Sequence, residues 1–207
     1  MSWEHVAQAF GLGFALGAAP GPVQVLILSE TSRRGFEGGL RVMLGANGTL
    51  LAVMLALALG FSSLEPGPGF LRALRDLGGA FLIYLGWAEL RTLRRSASFG
   101  TASVRTSLGP TAKGVMSVVL NPGAWIFFAT TASAVVVDTN ADGGQGAAIA
   151  AGFAMAIGVS ASDLSFVLLG SGGRAVVGER GLVRLRTALA LGLVAIGVWF
   201  LAQGFRN

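Results

Sequence analysis

The chain has 207 residues, of which 53% are hydrophobic and only 12% charged, with a formal net charge of +5 and a mean hydropathy of +0.70. A soluble domain needs a charged shell of roughly 25% of its residues, which this composition cannot supply. Cysteine is absent and His5 is the single histidine; this excludes disulfides, thiolate metal sites and thiol redox chemistry, and argues against a His-based metal site or a Ser-His pair.

Uncharged stretches mark the elements, because a helix needs roughly 20 apolar residues to cross a hydrocarbon core ~30 Å thick. The segment ahead of the first stretch carries Glu4 and His5 but no Lys or Arg, so the basic start of a cleaved signal peptide is not expected. Span one, Val6–Ser29, runs 24 residues without a charge. Its Gly13 and Gly17 form a small-residue face suited to helix packing. Within it lies Ala19-Pro20-Gly21-Pro22. The two prolines remove two backbone donors and clash with the preceding turn, so the helix should break there. Glu30 closes the span, with Arg33 and Arg34 near enough for an interfacial ion pair. Span two, Val42–Leu64, has 23 uncharged residues. Its Asn47 and Thr49 suit hydrogen bonding between helices, and Asn47 is also a candidate substrate contact.

Span three is the weakest. Leu77–Ala88 offers only 12 uncharged residues, and the longer Phe70–Leu90 brings in Arg72, Arg75, Asp76 and Glu89. These lie near its ends, where side chains can reach the interface; a re-entrant or interfacial helix is the alternative. Tyr84 and Trp87 here, and Trp125 in the next span, suit an aromatic belt. Residues 96–110, rich in Ser, Thr, Ala and Gly, have the composition of a flexible linker. Span four, Gly114–Val137, is 24 residues long and is interrupted by Asn121-Pro122-Gly123. Span five is uncharged for 20 residues from Gly143 to Ser162 and reaches a natural length at Leu169, which encloses Asp163. That acid falls some 7 Å from the helix centre toward the inner face at ~1.5 Å per residue. Span six, Thr187–Phe205, has 19 uncharged residues.

The expected fold is an all-α membrane protein with six transmembrane helices, arranged as two inverted three-helix repeats. Residues 1–95 form the first repeat, 96–110 the linker and 111–207 the second. The loops after spans one, three and five hold 12 of the 15 basic residues, which puts them in the cytoplasm and both termini outside. The positive charge is thus a topology signal and a contact to the lipid bilayer, not a nucleic-acid site. An odd number of spans per half gives the halves opposite orientations.

The first helix of each half is therefore interrupted. Paired interruptions point to a transporter's binding site, because half-helix ends offer free amides to a carboxylate and free carbonyls to an ammonium group. Pro20, Gly21, Pro22, Asn121, Pro122 and Gly123 are the candidate substrate-binding residues; simple structural kinks are the alternative. Asp163 is the only acid well inside a span, at a cost of a few kcal/mol. It is the candidate proton-coupling group or partner of a substrate ammonium. The bland alternative is a structural hydrogen bond to Ser160, Ser162 or Ser165.

These residues resemble a known family. Pro20-Gly21-Pro22 is similar to the signature of the LysE/RhtB amino-acid exporters. Arg34-Gly35, Gly39-Leu40 and Gly45, then Gly78-Gly79 with Tyr84-Leu85-Gly86-Trp87, and Asn121-Pro122 with Phe127-Phe128 follow the family's order, as does an acid in span five. Two positions depart from it: Gly123 stands where the family usually has Lys, and Thr49 follows Gly48 where it often has Asp. The resemblance implies a secondary exporter of a small amino acid or related metabolite in a bacterial cytoplasmic membrane, driven by protons and needing no cofactor. The alternative is an ion or metal-cation exporter, or a passive solute channel, of the same superfamily. For an enzyme, no base, metal constellation or phosphate loop accompanies the Ser and Asp residues. The small-residue faces could support a homodimer.

Overall fold

The computed structural model describes residues 3–19, 21–60, 67–98, 108–176 and 178–204, and among these all regular structure is helical. Helices α1 (Trp3–Ala18) and α2 (Pro22–Arg34) meet at a 65° bend. Pro22 occupies the first turn of α2, where a missing N–H costs nothing; Pro20 lies outside the described residues. Gly35 turns the chain directly into α3 (Phe36–Ala58) with a φ of 78°, a conformation that favours glycine. Helix α4 covers Pro68–Ser98. Residues 99–107, most of the expected linker, lie outside the described residues. Then come α5 (Pro110–Val119), the short α6 (Pro122–Phe127), a π-helical turn (Phe128–Ala132), α7 (Ser133–Val176) and α8 (Gly178–Gly204).

Among the described residues, three helices are long and apolar enough to cross a membrane: Phe36–Ala58, Pro122–Gly172 and Arg180–Gln203. The bent α1–α2 pair makes a fourth if counted as one span. Helix α4 falls short because Arg72, Arg75 and Asp76 at one end and Glu89, Arg91 and Arg94 at the other leave too little uncharged length between them. A loop expected around Asp138 and Asp142 is absent, and these residues stay helical. The continuous 51-residue run would measure ~75 Å if straight, more than twice a hydrocarbon core. It is not straight: Gly144 interrupts it with a φ of 71° and a ψ of −176°.

Glycine sets the close packing. Helix α1 lies on α7 with Gly13 against the Met155 carbonyl and Gly158 against that of Phe10. Helix α3 lies on α5 in the same way, Gly45 against Thr111 and Gly114 against Val42. Gly79 of α4 and Gly197 of α8 face each other's carbonyl oxygens. A side chain at any of these positions would strike backbone, the mark of small-residue packing in membrane helices. Gly17 packs against the Ser162 side chain. Large apolar side chains point outward instead, among them Leu44, Ile157, Leu169 and Leu191. That is the polarity of a protein solvated by lipid.

Candidate functional site

Each break frees backbone carbonyls, and in an apolar medium these need partners. The sequence supplies one beyond each break. Gln24 Nε2, in the first turns of α2, donates to the Gly17 carbonyl oxygen of α1 at 3.0 Å. Trp125 Nε1, on α6, donates to the Val119 carbonyl oxygen of α5 at 2.8 Å. Trp125 is thus a cap for the second break, packed edge-on against Phe70 and Phe128. Asn121 Oδ1 accepts the Gly123 N–H at 3.0 Å and caps α6.

The breaks open onto a cavity of about 480 Å³. Gly21 and Pro22 line it from the first break, and Asn121, Pro122 and Gly123 from the second. Asn47 and Asp163 line it too, so every sequence-derived candidate within the described residues faces this one space. The walls are otherwise largely apolar, with Leu16, Val23, Leu50, Phe128 and Trp199 prominent. Asp163 is fully buried. Its hydrogen bond comes not from a neighbouring serine but from Gln24 Nε2, which donates to Oδ1 at 3.2 Å from across the fold. Oδ2 has no partner. A buried carboxylate with an oxygen so placed is costly unless a proton or a cation neutralises it. Asn47 Nδ2 donates to Ser160 Oγ at 3.1 Å, so it both joins helices and faces the cavity. Thr49 bonds only its own helix, at the Gly45 carbonyl.

Sequence reasoning missed Gln24, Arg75 and Gln203, all on the cavity wall. Gln24 carried a signal: it is the one amide side chain within a turn of the Pro-Gly-Pro break. Gln24→Leu keeps the volume but strands two buried acceptors. We expect a loss of about 1–2 kcal/mol, read as a lower unfolding temperature of the detergent-solubilised protein, whereas Gln203→Leu at the rim leaves it unchanged.

The charges differ more from expectation. Glu30 forms the expected pairs with Arg33 and Arg34 but is buried, with 2% of its surface exposed. Its carboxylate takes Arg33 Nη2 at 2.9 Å, Arg34 Nε at 3.0 Å and Lys113 Nζ of α5 at 2.6 Å. Glu89 of α4 lies 4.0 Å from Arg33 Nε and accepts Arg186 of α8 through Nε at 2.7 Å. Tyr84 and Trp87 are half-exposed, the latter under Arg91 at 5.1 Å, consistent with belt positions.

Broken helices around a polar-floored cavity, in a bundle with apolar outer faces, define a multi-pass membrane transporter. The chain belongs to the LysE-type translocators, whose family model matches residues 14–205. A cysteine/O-acetylserine efflux protein of Klebsiella pneumoniae is 31% identical over 86 residues, 41% of this chain and 42% of that protein. The protein of the same name in Salmonella typhimurium is 32% identical over 69 residues, 33% and 35% of the two chains. An uncharacterized membrane protein of Pseudomonas aeruginosa is 31% identical over 134 residues, 61% and 59%. The chain thus matches about two-fifths or less of the efflux proteins' length. No solved structure matches.

Proposed function

We propose that the protein is a secondary exporter of an amino acid or related small metabolite across the bacterial cytoplasmic membrane, coupled to protons. One observation carries this reading: a single cavity receives both helix breaks and a fully buried acid with an unpartnered oxygen. The breaks suit the charged ends of an amino acid, and Asp163 would hold either the coupling proton or the substrate ammonium. The efflux relatives favour a small substrate; the apolar walls leave room for a larger side chain.

The same reading has six spans in two inverted repeats, residues 1–95 and 111–207, with both termini outside. The packing supports it. Inversion exchanges α1 with α5 and α3 with the later part of α7, and the reciprocal glycine contacts of α1 on α7 recur in α5 on α3. The α4–α8 contact maps onto itself, Gly79 against Gly197. Residues on both sides of Gly144, such as Phe128, Ala132, Ala148 and Met155, share one core cluster. A fold-back at Gly144 accounts for this and divides the long run into two spans.

A thermal-shift panel on the purified protein tests the substrate class. A ligand at about 100 times its Kd should stabilise the protein by about 2.7 kcal/mol. We expect cysteine, O-acetylserine or an apolar amino acid to shift the unfolding temperature. A response to divalent cations alone would replace this reading with an ion exporter, and no response to any solute with a passive channel.

A further inference from the structure

The buried charges form a continuous row that the binding cavity does not use. It runs Lys113–Glu30–Arg33–Glu89–Arg186, from α5 through α2 and α4 to α8. Lys113 is 3% exposed, Glu30 2% and Glu89 7%. The space left among these side chains is about 10 Å³, the bare minimum for one water. No metabolite passes there.

The row lies on one side of the cavity only. Glu30 stands eight residues beyond Pro22, ~12 Å along α2. In the opposite direction the cavity extends to Arg75 and Gln203. Arg75 is fourteen residues from Glu89 on α4 and Gln203 is seventeen from Arg186 on α8, ~21 Å and ~25 Å. The ionic row is therefore a floor under an otherwise deep space, at the end that carries the basic loops.

We propose that this row is the cytoplasmic gate of the transporter, shown here closed. The proposal rests on the exporter reading and its orientation. Its pairs fall into two kinds. Glu30 with Arg33 and Arg34, and Arg33 with Glu89, are pairs within one repeat. Lys113–Glu30 and Arg186–Glu89 each join one repeat to the other. When the halves separate, only the second kind breaks. Glu30 keeps two arginines, and Lys113 meets the water that enters. Neither charge is stranded, so the gate can open without the large penalty of an unpaired buried ion. Buried ion pairs add little to stability compared with apolar packing, and a partner-exchanging switch explains their presence here.

The test reads access to the cavity directly. The chain has no cysteine, so Ala124→Cys on the cavity wall provides a single reporter for a membrane-impermeant maleimide. It is applied to right-side-out and inside-out vesicles. In the parent, labelling should come from the outer face. Glu30→Gln or Lys113→Met should raise labelling from the inner face by about tenfold, the scale of coupling lost with a buried pair. Lys113→Arg keeps the charge and should stay closed. The double variant Glu30→Gln/Lys113→Met leaves no unpaired charge between the two positions, so it should fold even where a single variant does not, and should also open. Glu37→Gln, which breaks an exposed pair with Arg41, should change nothing. Inner-face labelling of the parent, one-sided labelling in the double variant, or an equal rise with Glu37→Gln overturns the gate. Because labelling needs no substrate, a thermal panel without an amino-acid response would sink the exporter reading while leaving this result to stand by itself.

Discussion

Asp163→Asn is expected to abolish accumulation against a gradient. In proteoliposomes, one charge moved across 100 mV supplies ~2.3 kcal/mol, enough for a substrate ratio of about 50-fold. The parent protein should approach that ratio with the amino acid that responds in the thermal panel. The asparagine variant should reach no more than equal concentrations on the two sides. Its amide still accepts from Gln24 as Oδ1 does now, and it replaces an oxygen that has no partner. Folding should therefore survive, and an unchanged unfolding temperature checks this. Undiminished accumulation in the variant would remove Asp163 from the coupling.

Gly114→Leu is expected to cost the most stability of any single change considered. A Cβ there would overlap the Val42 carbonyl oxygen and lie 2.9 Å from the Ala46 nitrogen. Both are helix backbone and neither can swing aside. Helices α3 and α5 would have to part, and Lys113 of α5 would move from its place beside Glu30. Overpacking alone costs ~1–3 kcal/mol, and the lost interface adds to it. We expect the unfolding temperature in detergent to fall steeply, with most of the protein aggregating on size-exclusion chromatography. Gly48→Ala, one helix face away with nothing within 4 Å, should instead gain about 0.5–1 kcal/mol from helix propensity. Equal unfolding temperatures for Gly114→Leu and the parent would disprove the close α3–α5 contact.

The candidate site was largely legible because its chemistry is conspicuous in hydrocarbon. Pro22 and Pro122 cannot continue a helix, and Asp163 cannot be ignored after twenty uncharged residues. Gln24 was not singled out, since an amide in a helix is ordinary until its partner is known. Its partner is 139 residues away. Lys113 was counted only as a topology signal. Nothing local distinguishes it from the arginines of the same loop, and its pairing with Glu30 exists only because the start of α5 lies beside the end of α2.

By itself the sequence determined that the protein is membrane-embedded, that its helices break at two proline sites, and that one acid is buried among apolar residues. These follow from composition and backbone chemistry, which act within a turn or two of helix. Only the tertiary structure decided that both breaks face one cavity, that Gln24 ties the first break to Asp163, and that a row of charges runs from α5 through α2 and α4 to α8. It also replaced an expected loop at Asp138–Asp142 by helix running to a single break at Gly144. Helix backbone satisfies its own hydrogen bonds whether or not the surrounding residues are polar. The chain therefore turns where a glycine can take a positive φ, and where the packed helices require it.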